Sequence, residues 1–286
     1  MIIIDSNCIG YQALYSLGDL SNGARPTGVL YGFMFEVLKL GKRFNGNKFM
    51  FCWDSRNSYR SRIYPEYKQN RKAIPPEEII ARRMAKEQFQ LLKTELLHQL
   101  GFGCVFFQAG YEADDLIAYL CKSLVNESKI IVTTDKDLYQ LLDPITVIYN
   151  PRLKNVLTDR WFKTTYGITP DQWVEAKAIS GCESDSVKGV KGVADPAHSV
   201  NSKALSYLRN ELKTGTIFKR IVESKGVIER NRTLIKLPFD GLKPISLELS
   251  EDDFSKDAII EVFDRYRFQS LLDQMDDWMQ YVCLMK

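Results

Sequence analysis

Four apolar runs of strand length near the start of this chain end in, or lead directly into, carboxylates, and helical stretches separate them. Ile2-Ile3-Ile4 ends in Asp5, and Phe49 to Trp53 ends in Asp54. Cys104 to Phe107 leads into Glu112, Asp114 and Asp115, and Ile130 to Val132 leads into Asp135 and Asp137. Ile145 to Tyr149 reads as a further strand. Strand–helix alternation over residues 1–150 predicts an α/β fold whose central parallel sheet is covered by helices on both faces. In such a sheet the carboxyl ends of the strands share one edge, where ligands gather. Each acid taken alone reads as a turn residue or a helix cap. Four acidic strand ends on one edge do not. Carboxylates packed this densely repel one another unless cations neutralise them, which points to a divalent-metal site. Hard oxygen ligands select magnesium or manganese over zinc.

The length of 286 residues suits one large domain, or one domain with an appendage. Apolar and charged fractions of 45% and 26% are those of an ordinary globular protein with ample core. No apolar run approaches the roughly 20 residues that span a bilayer, and the start lacks the basic and long apolar regions of a signal peptide. Six cysteines, Cys8, Cys52, Cys104, Cys121, Cys182 and Cys283, form no CxxC pair. Reduced thiols in a cytoplasmic protein are therefore expected, with neither a disulfide nor a zinc framework. The net charge of +3 says little, and its distribution says more.

Between Arg56 and Lys72 six positive charges (Arg56, Arg60, Arg62, Lys68, Arg71, Lys72) face the single Glu66, a local balance of +5. Tyr59, Tyr64 and Tyr67 are interleaved with them. A charge run is usually a solvated face. Beside an acid cluster of the metal-binding type, basic residues mixed with aromatics suit a groove that tracks a single-stranded nucleic acid. Upstream, Arg25-Pro26-Thr27-Gly28 opens a helix with Leu30, Phe33, Met34, Val37 and Leu38 at helical spacing. Downstream, Pro75-Pro76-Glu77-Glu78 starts a long amphipathic helix to about Gln99, closed by Gly101. His98 lies inside that helix and His198 in a loop, so no histidine-based site is expected.

After Tyr149 the pattern turns helical, with Trp161, Trp173 and Ala176-Lys177-Ala178-Ile179 in periodic contexts. Ser180 to Val193 then forms a tight hairpin with two apolar-Lys-Gly repeats, Val187-Lys188-Gly189 and Val190-Lys191-Gly192. A turn of this kind exposes backbone groups and lysines that can grip a phosphate without reading sequence. Helical segments to about Lys225, a strand-like Leu234-Ile235 and a C-terminal helix rich in aromatics and Met complete the chain, without a strong chemical signal past about residue 205.

The chain resembles the 5′-to-3′ exonuclease and flap endonuclease family, which includes the N-terminal nuclease domain of bacterial DNA polymerase I and phage replication nucleases. The resemblance covers roughly residues 1–205. It rests on Ile4-Asp5, Arg25-Pro26-Thr27-Gly28 with Tyr31-Gly32-Phe33, Trp53-Asp54, and Tyr64-Pro65-Glu66-Tyr67-Lys68-Gln69-Asn70-Arg71. It continues through Glu112-Ala113-Asp114-Asp115, Asp135-Lys136-Asp137-Leu138 and the Ser184-to-Gly192 turn. Asn231-Arg232-Thr233-Leu234-Ile235 is weakly similar to phage members that also remove RNA primers.

The resemblance implies a resolvase-like (PIN-like) catalytic domain over 1–160, with a helical arch at about 56–86. It also implies a helical DNA-binding subdomain over 161–286 that includes a helix-three-turn-helix element at about 176–208. On the same basis Asp5, Asp54, Glu112 and Asp114 hold a first metal ion. Asp114, Asp135, Asp137 and an acid of the 182–185 turn, such as Asp185 or Glu183, hold a second, with Asp115 close by. Two Mg²⁺ or Mn²⁺ ions roughly 4 Å apart would activate a water and stabilise the leaving oxygen. Lys68 and Arg71 contact the scissile phosphate, Tyr67 helps to guide the strand, and Arg56, Arg60 and Lys72 add positive surface. Lys188, Gly189, Lys191 and Gly192 hold the duplex backbone, in the family often through a bound potassium ion. The implied partners are DNA with a 5′ end, flap or nick, and RNA–DNA hybrids; a monomer in the cytoplasm of a prokaryotic or phage-infected cell is expected.

Two departures from the family pattern matter. Cys182 stands where the family has the first aspartate of its Gly-Asp-x-x-Asp turn, and a thiol is a poor magnesium ligand. The family's Gly-Ile-Gly-x-Lys-Thr-Ala sequence is interrupted by Asp195 to Ser202 before Lys203-Ala204. A structure-specific DNA-binding protein with weakened catalysis is accordingly the second reading. A small metal-dependent ribonuclease of the related toxin-like fold would lack the basic segment and the Gly-Lys turn. A phosphatase would want an acid two residues after its strand-end aspartate, and Asp5-Ser6-Asn7 has none.

Overall fold

The computed structural model describes residues 1–45, 48–69, 75–193, 200–241, 243 and 245–284. The chain divides into two compact units, each discontinuous in sequence. The first comprises residues 1–54, 74–108 and 247–286, and the second residues 55–73 and 109–246. The single cut expected at residue 160 falls inside the second unit.

In the first unit, parallel strands Ile2–Asp5, Phe49–Trp53 and Val105–Phe107 lie side by side with Phe49–Trp53 in the middle. Every residue of the first two is buried. That explains their near-continuous apolar sequence, because a parallel strand is covered on both faces. Helix Ser6–Leu17 packs on helix Gly28–Arg43 at close range. At Gly28 a Cβ would lie 1.8 Å from the Leu17 carbonyl oxygen, so only glycine permits this approach. The first turn of Gly28–Arg43 has no side-chain cap of its own. Gln88 Oε1, from helix Pro76–Leu91, instead accepts the amides of Val29 and Leu30, both at 3.1 Å. That satisfies two of the orphan donors every helix start carries.

The long helix expected from Pro75 to Gln99 forms, with a π-helical turn at Leu92–Leu96 before a last turn at Leu97–Gln99. Gly101 follows in a positive-φ conformation. Its His98 is exposed. Arg25–Pro26 is a short strand paired with Ser21–Asn22, and the helix begins after it. The expected single C-terminal helix is three short ones, Lys256–Arg265, Gln269–Leu272 and Met275–Tyr281. Arg267, at φ 55°, breaks the first from the second, and Trp278 packs edge-on against Phe263 with centroids 5.0 Å apart.

In the second unit, strands Lys129–Val132 and Thr146–Asn150 pair in parallel, and Asn155–Leu157 adds antiparallel through a hairpin that the sequence did not announce. Both units are thus α/β, with mostly parallel strands flanked by helices. Helix Asp159–Tyr166 is capped by Thr158 and ends on Gly167 in the left-handed region. Helix Trp173–Ser180 follows the Thr169–Gln172 capping box, and Tyr139, Phe162, Tyr166 and Trp173 form one aromatic cluster.

Leu234-Ile235 is not a strand but the end of helix Lys225–Ile235. Ile228, Asn231, Leu234 and Ile235 are its buried face, a period of three to four that two apolar residues alone do not reveal. None of the six cysteines is in a disulfide. Among the described residues, no helix is long and apolar enough to cross a membrane.

Candidate active site

In the first unit the parallel pairing of Ile2–Asp5 with Phe49–Trp53 brings the ends that carry Asp5 and Asp54 to one sheet edge. Asp5 is buried and caps helix Ser6–Leu17, its Oδ1 accepting the Cys8 amide at 3.1 Å. Asn7 Oδ1 accepts the Asp54 amide at 2.9 Å, which fixes the backbone of that exposed acid. The capping role and a role at the edge are compatible, because a cap at a strand end is also a carboxylate at that edge.

The charge centre of the second unit is built on the start of helix Ala113–Ser123. Gly110 turns the chain at φ 89°, where a Cβ would enter the Tyr59 ring. Glu112 then caps the helix, and Asp115 Oδ2 accepts the Glu112 amide at 3.1 Å in a reciprocal capping box. Arg60, 2% exposed, sends Nη1 and Nη2 to the two oxygens of Asp115 at 2.6 and 2.8 Å. Its Nη1 also reaches Glu112 Oε2 at 3.1 Å, and its Nε donates to the Leu234 carbonyl at 2.9 Å. The guanidinium lies over the Phe239 ring, 4.9 Å from the centroid. Burial would lower the Arg60 pKa, but the hydrogen bond and charge of Asp115 and the charge of Glu112 raise it, so the guanidinium is locked in its charged form.

Two expectations change here. Arg60 and Tyr67, expected on a nucleic-acid surface, are buried and spend their donors inside the protein. Tyr67 gives its hydroxyl to Glu112 Oε2 at 3.0 Å and packs with Cys182, Val187 and Leu234. Asp115, expected near the metals, is 0% exposed and accepts from Arg60 twice, from the Glu112 amide and from the Phe239 amide at 2.8 Å. Four donors fill a carboxylate's usual capacity. Asp115 therefore spends its oxygens on holding the helix start.

Glu112 keeps its charge. Burial pushes its carboxyl up, but Lys68 and Arg60, together with the hydrogen bonds from Lys68 and Tyr67, hold it below the usual carboxylate range. Lys68 Nζ donates to Glu112 Oε1 at 2.7 Å and remains half-buried. Lys68 sits at φ 57° and its amide donates to the Asp185 carbonyl at 2.8 Å. Asp114 stands partly exposed in the first helical turn. Arg56 is exposed, and Arg62 is exposed over the Tyr59 ring at 4.4 Å. Arg71, Lys72 and part of the arch expected at 56–86 lie outside the described residues.

A second acidic group follows strand Lys129–Val132. Asp135 caps a 3₁₀ turn by accepting the Asp137 amide at 2.8 Å. Asp137, Cys182 and Asp185 each place a ligand-type atom within 4.8 Å of the others. The structure adds a residue that sequence reasoning missed. Lys177, buried on helix Trp173–Ser180, gives its ammonium to Asp137 Oδ1 and lies 3.7 Å from Cys182 Sγ. Cys182 Sγ is 3.1 Å from Ser184 Oγ and 3.6 Å from Asp185 Oδ2. Burial pushes the Cys182 thiol up despite the Lys177 charge, so it is the protonated thiol at neutral pH. A thiol and an ion-paired aspartate are a poor donor set for a hard divalent ion. The available signal was Lys177 itself, a lone charge among Ala176, Ala178 and Ile179.

The Gly-Lys hairpin is real. Gly181–Cys182 pairs antiparallel with Val187–Lys188. A Cβ on Gly189 would lie 2.1 Å from the Ser180 carbonyl oxygen, which is why glycine stands there. Lys188, Lys191 and Gly192 are exposed. The amides of Val190 and Val193 are already used, by the Ile179 and Val190 carbonyls. Asn231, 0% exposed, donates to the carbonyls of Ala178 and Lys188, both at 2.9 Å, and so ties the hairpin to helix Trp173–Ser180. The inserted Asp195-to-Ser199 stretch, with His198, lies outside the described residues.

Residues 1–167 match the model of the 5′–3′ exonuclease N-terminal, resolvase-like domain, and the chain belongs to that family. It is 30% identical over 291 residues to DNA polymerase I of Mycobacterium leprae, covering 96% of this chain and 31% of the relative. The chain thus spans about a third of the length of the curated relatives it matches. The fold is that of the bacteriophage T5 D15 protein crystallised with metal ions, with a TM-score of 0.68 at 20% identity over 94% of this chain and 97% of that one. The T5 flap endonuclease in a complex with DNA and metal ions gives a TM-score of 0.65 at 19% identity over 96% and 98%.

Proposed function

We propose that this chain is a divalent-metal-dependent 5′ nuclease that hydrolyses phosphodiester bonds near 5′ ends and flap junctions of DNA. RNA–DNA primers are a second substrate class. One observation carries the reading: Lys68 reaches Glu112 with its ammonium and Asp185 with its amide. The end of the basic segment therefore meets acidic turns from two other stretches of the second unit. Family membership supplies the reaction class.

The proposed ligands are Asp5 and Asp54 in the first unit, and Glu112, Asp114, Asp135, Asp137 and Asp185 in the second. All seven are hard oxygen donors, which suits Mg²⁺ or Mn²⁺. When bound, such ions supply an activated water and stabilise the leaving oxygen. This chain's own groups do the rest. Arg60 and Asp115 hold the helix start that aims Glu112 and Asp114. Lys68, half-buried and hydrogen-bonded to Glu112, exchanges that carboxylate for a phosphate oxygen on this reading. Arg71, Lys72 and exposed Arg56 are proposed as further contacts along the strand. Lys188, Gly189, Lys191 and Gly192 grip a duplex backbone, with or without a potassium ion. On this reading residues 1–160 cut and 161–286 hold the substrate. The protein acts as a monomer in the cytoplasm of a prokaryotic or phage-infected cell.

A 5′-end-labelled flap substrate tests the reading. Magnesium should release short products cut near the junction, and chelator should abolish them. Tight flap binding without magnesium-dependent cutting would favour instead the structure-specific binding protein, the reading that Cys182 and Lys177 support.

A further inference from the structure

We infer that Lys177 stands in for a second divalent cation, its ammonium neutralising Asp137 within the Asp137–Cys182–Asp185 group, so that this chain loads one divalent ion and takes a second only weakly. The inference rests on the nuclease reading. Three observations carry it. The Lys177 ammonium is ion-paired with Asp137 and lies 3.7 Å from Cys182 Sγ, inside the set whose ligand atoms fall within 4.8 Å of one another. Lys177 is 3% exposed, so its charge is barely screened by water. Cys182, the third member, offers sulfur where a hard ion wants oxygen.

A divalent ion at this group would have to displace or tolerate a fixed positive charge at contact distance from one ligand, and repulsion between like charges is strong in a buried site. The substitution and the lysine work in the same direction. Cys182 removes one negative charge from the group, and Lys177 cancels another. Both changes lower the negative charge that the group offers a hydrated hard cation, whose affinity follows ligand charge and count.

The test is direct Mn²⁺ binding, by electron paramagnetic resonance and calorimetry, to the full chain and to Lys177→Met, Lys177→Gln and Lys177→Arg. Cleavage of the flap substrate is measured alongside. The wild-type protein should bind one ion tightly. Lys177→Met should bind a second at least about tenfold more tightly than wild type, whereas Lys177→Arg, which keeps the charge, should not. Lys177→Gln keeps a donor to Asp137 without the charge, and it carries the comparison if Lys177→Met does not fold. Two ions of similar affinity on the wild-type protein, with cleavage intact, would overturn the inference and leave the nuclease reading standing. The absence of both Mn²⁺ binding and cleavage would overturn the nuclease reading, and the inference with it.

Discussion

Arg60→Met removes a positive charge that the sequence assigns to a nucleic-acid surface and the structure assigns to the core. In the native protein Asp115 is 0% exposed and takes hydrogen bonds of 2.6 and 2.8 Å from Arg60. Without Arg60 it keeps two backbone amides, at 3.1 and 2.8 Å, and no countercharge among the described residues. Glu112 loses a cation, leaving Lys68 among the described residues, and the Leu234 carbonyl loses the Arg60 donor. Removing one partner of a buried ion pair costs about 3–5 kcal/mol. A surface arginine costs within about 0.5 kcal/mol. Since natural domains hold only about 5–15 kcal/mol in total, the two cases are easily separated. Urea unfolding in chelator is the assay, and the expected loss is in the upper range. Pairing Arg60→Met with Asp115→Asn should recover part of it, because the orphaned charge is gone while an amide oxygen remains for a backbone donor. The salt dependence of DNA binding should be unchanged, whereas a lost phosphate contact would flatten its slope by about 1. A stability loss under about 1 kcal/mol with a flatter slope would refute the buried-pair account.

Tyr67→Phe keeps the ring in its cluster but removes one donor to Glu112; about 1–2 kcal/mol should be lost in urea unfolding, and a change in DNA affinity alone would contradict this. Glu112 is held below the usual carboxylate range although burial opposes this. Its contribution is therefore present above its unfolded pKa of about 4.3 and disappears as pH falls through the lower folded value. In chelator, wild-type stability should fall below about pH 4.3 more steeply than that of Glu112→Gln, and parallel curves would be the contrary result. Asn231→Leu leaves the carbonyls of Ala178 and Lys188 without their shared donor. It should cost about 1–3 kcal/mol and speed hydrogen exchange in the 181–188 hairpin, and unchanged exchange would show that the tie is unimportant.

The strands and their acids were legible because parallel strands buried on both faces must be continuous apolar runs, and the carboxylates that follow interrupt them visibly. Asp5 illustrates how two readings coincide, since the cap and the edge position are one place. What sequence hid was partnership. Arg60, Tyr67 and Lys68 belong to one basic, aromatic segment, yet Arg60 and Tyr67 turn inward and Lys68 stays half-exposed. The partners that decide this are 55 residues away at Asp115 and 174 away at the Leu234 carbonyl. Lys177 was hidden for the same reason, with Asp137 40 residues earlier. Leu234-Ile235 looked like a strand because the polar Asn231, which shares its helix face, does not register as a core residue until its two carbonyl partners are seen.

Asp114→Ala tests the central claim most directly. Asp114 is a partly exposed first-turn carboxylate of helix Ala113–Ser123, next in sequence to Asp115, which Arg60 holds. Single-turnover cleavage of a flap substrate in magnesium, with flap affinity measured in calcium or chelator, separates cutting from holding. The account predicts that the rate falls by at least about a thousandfold, roughly 4 kcal/mol of barrier, while affinity changes less than about threefold. A variant that cuts at near-normal rate would contradict it.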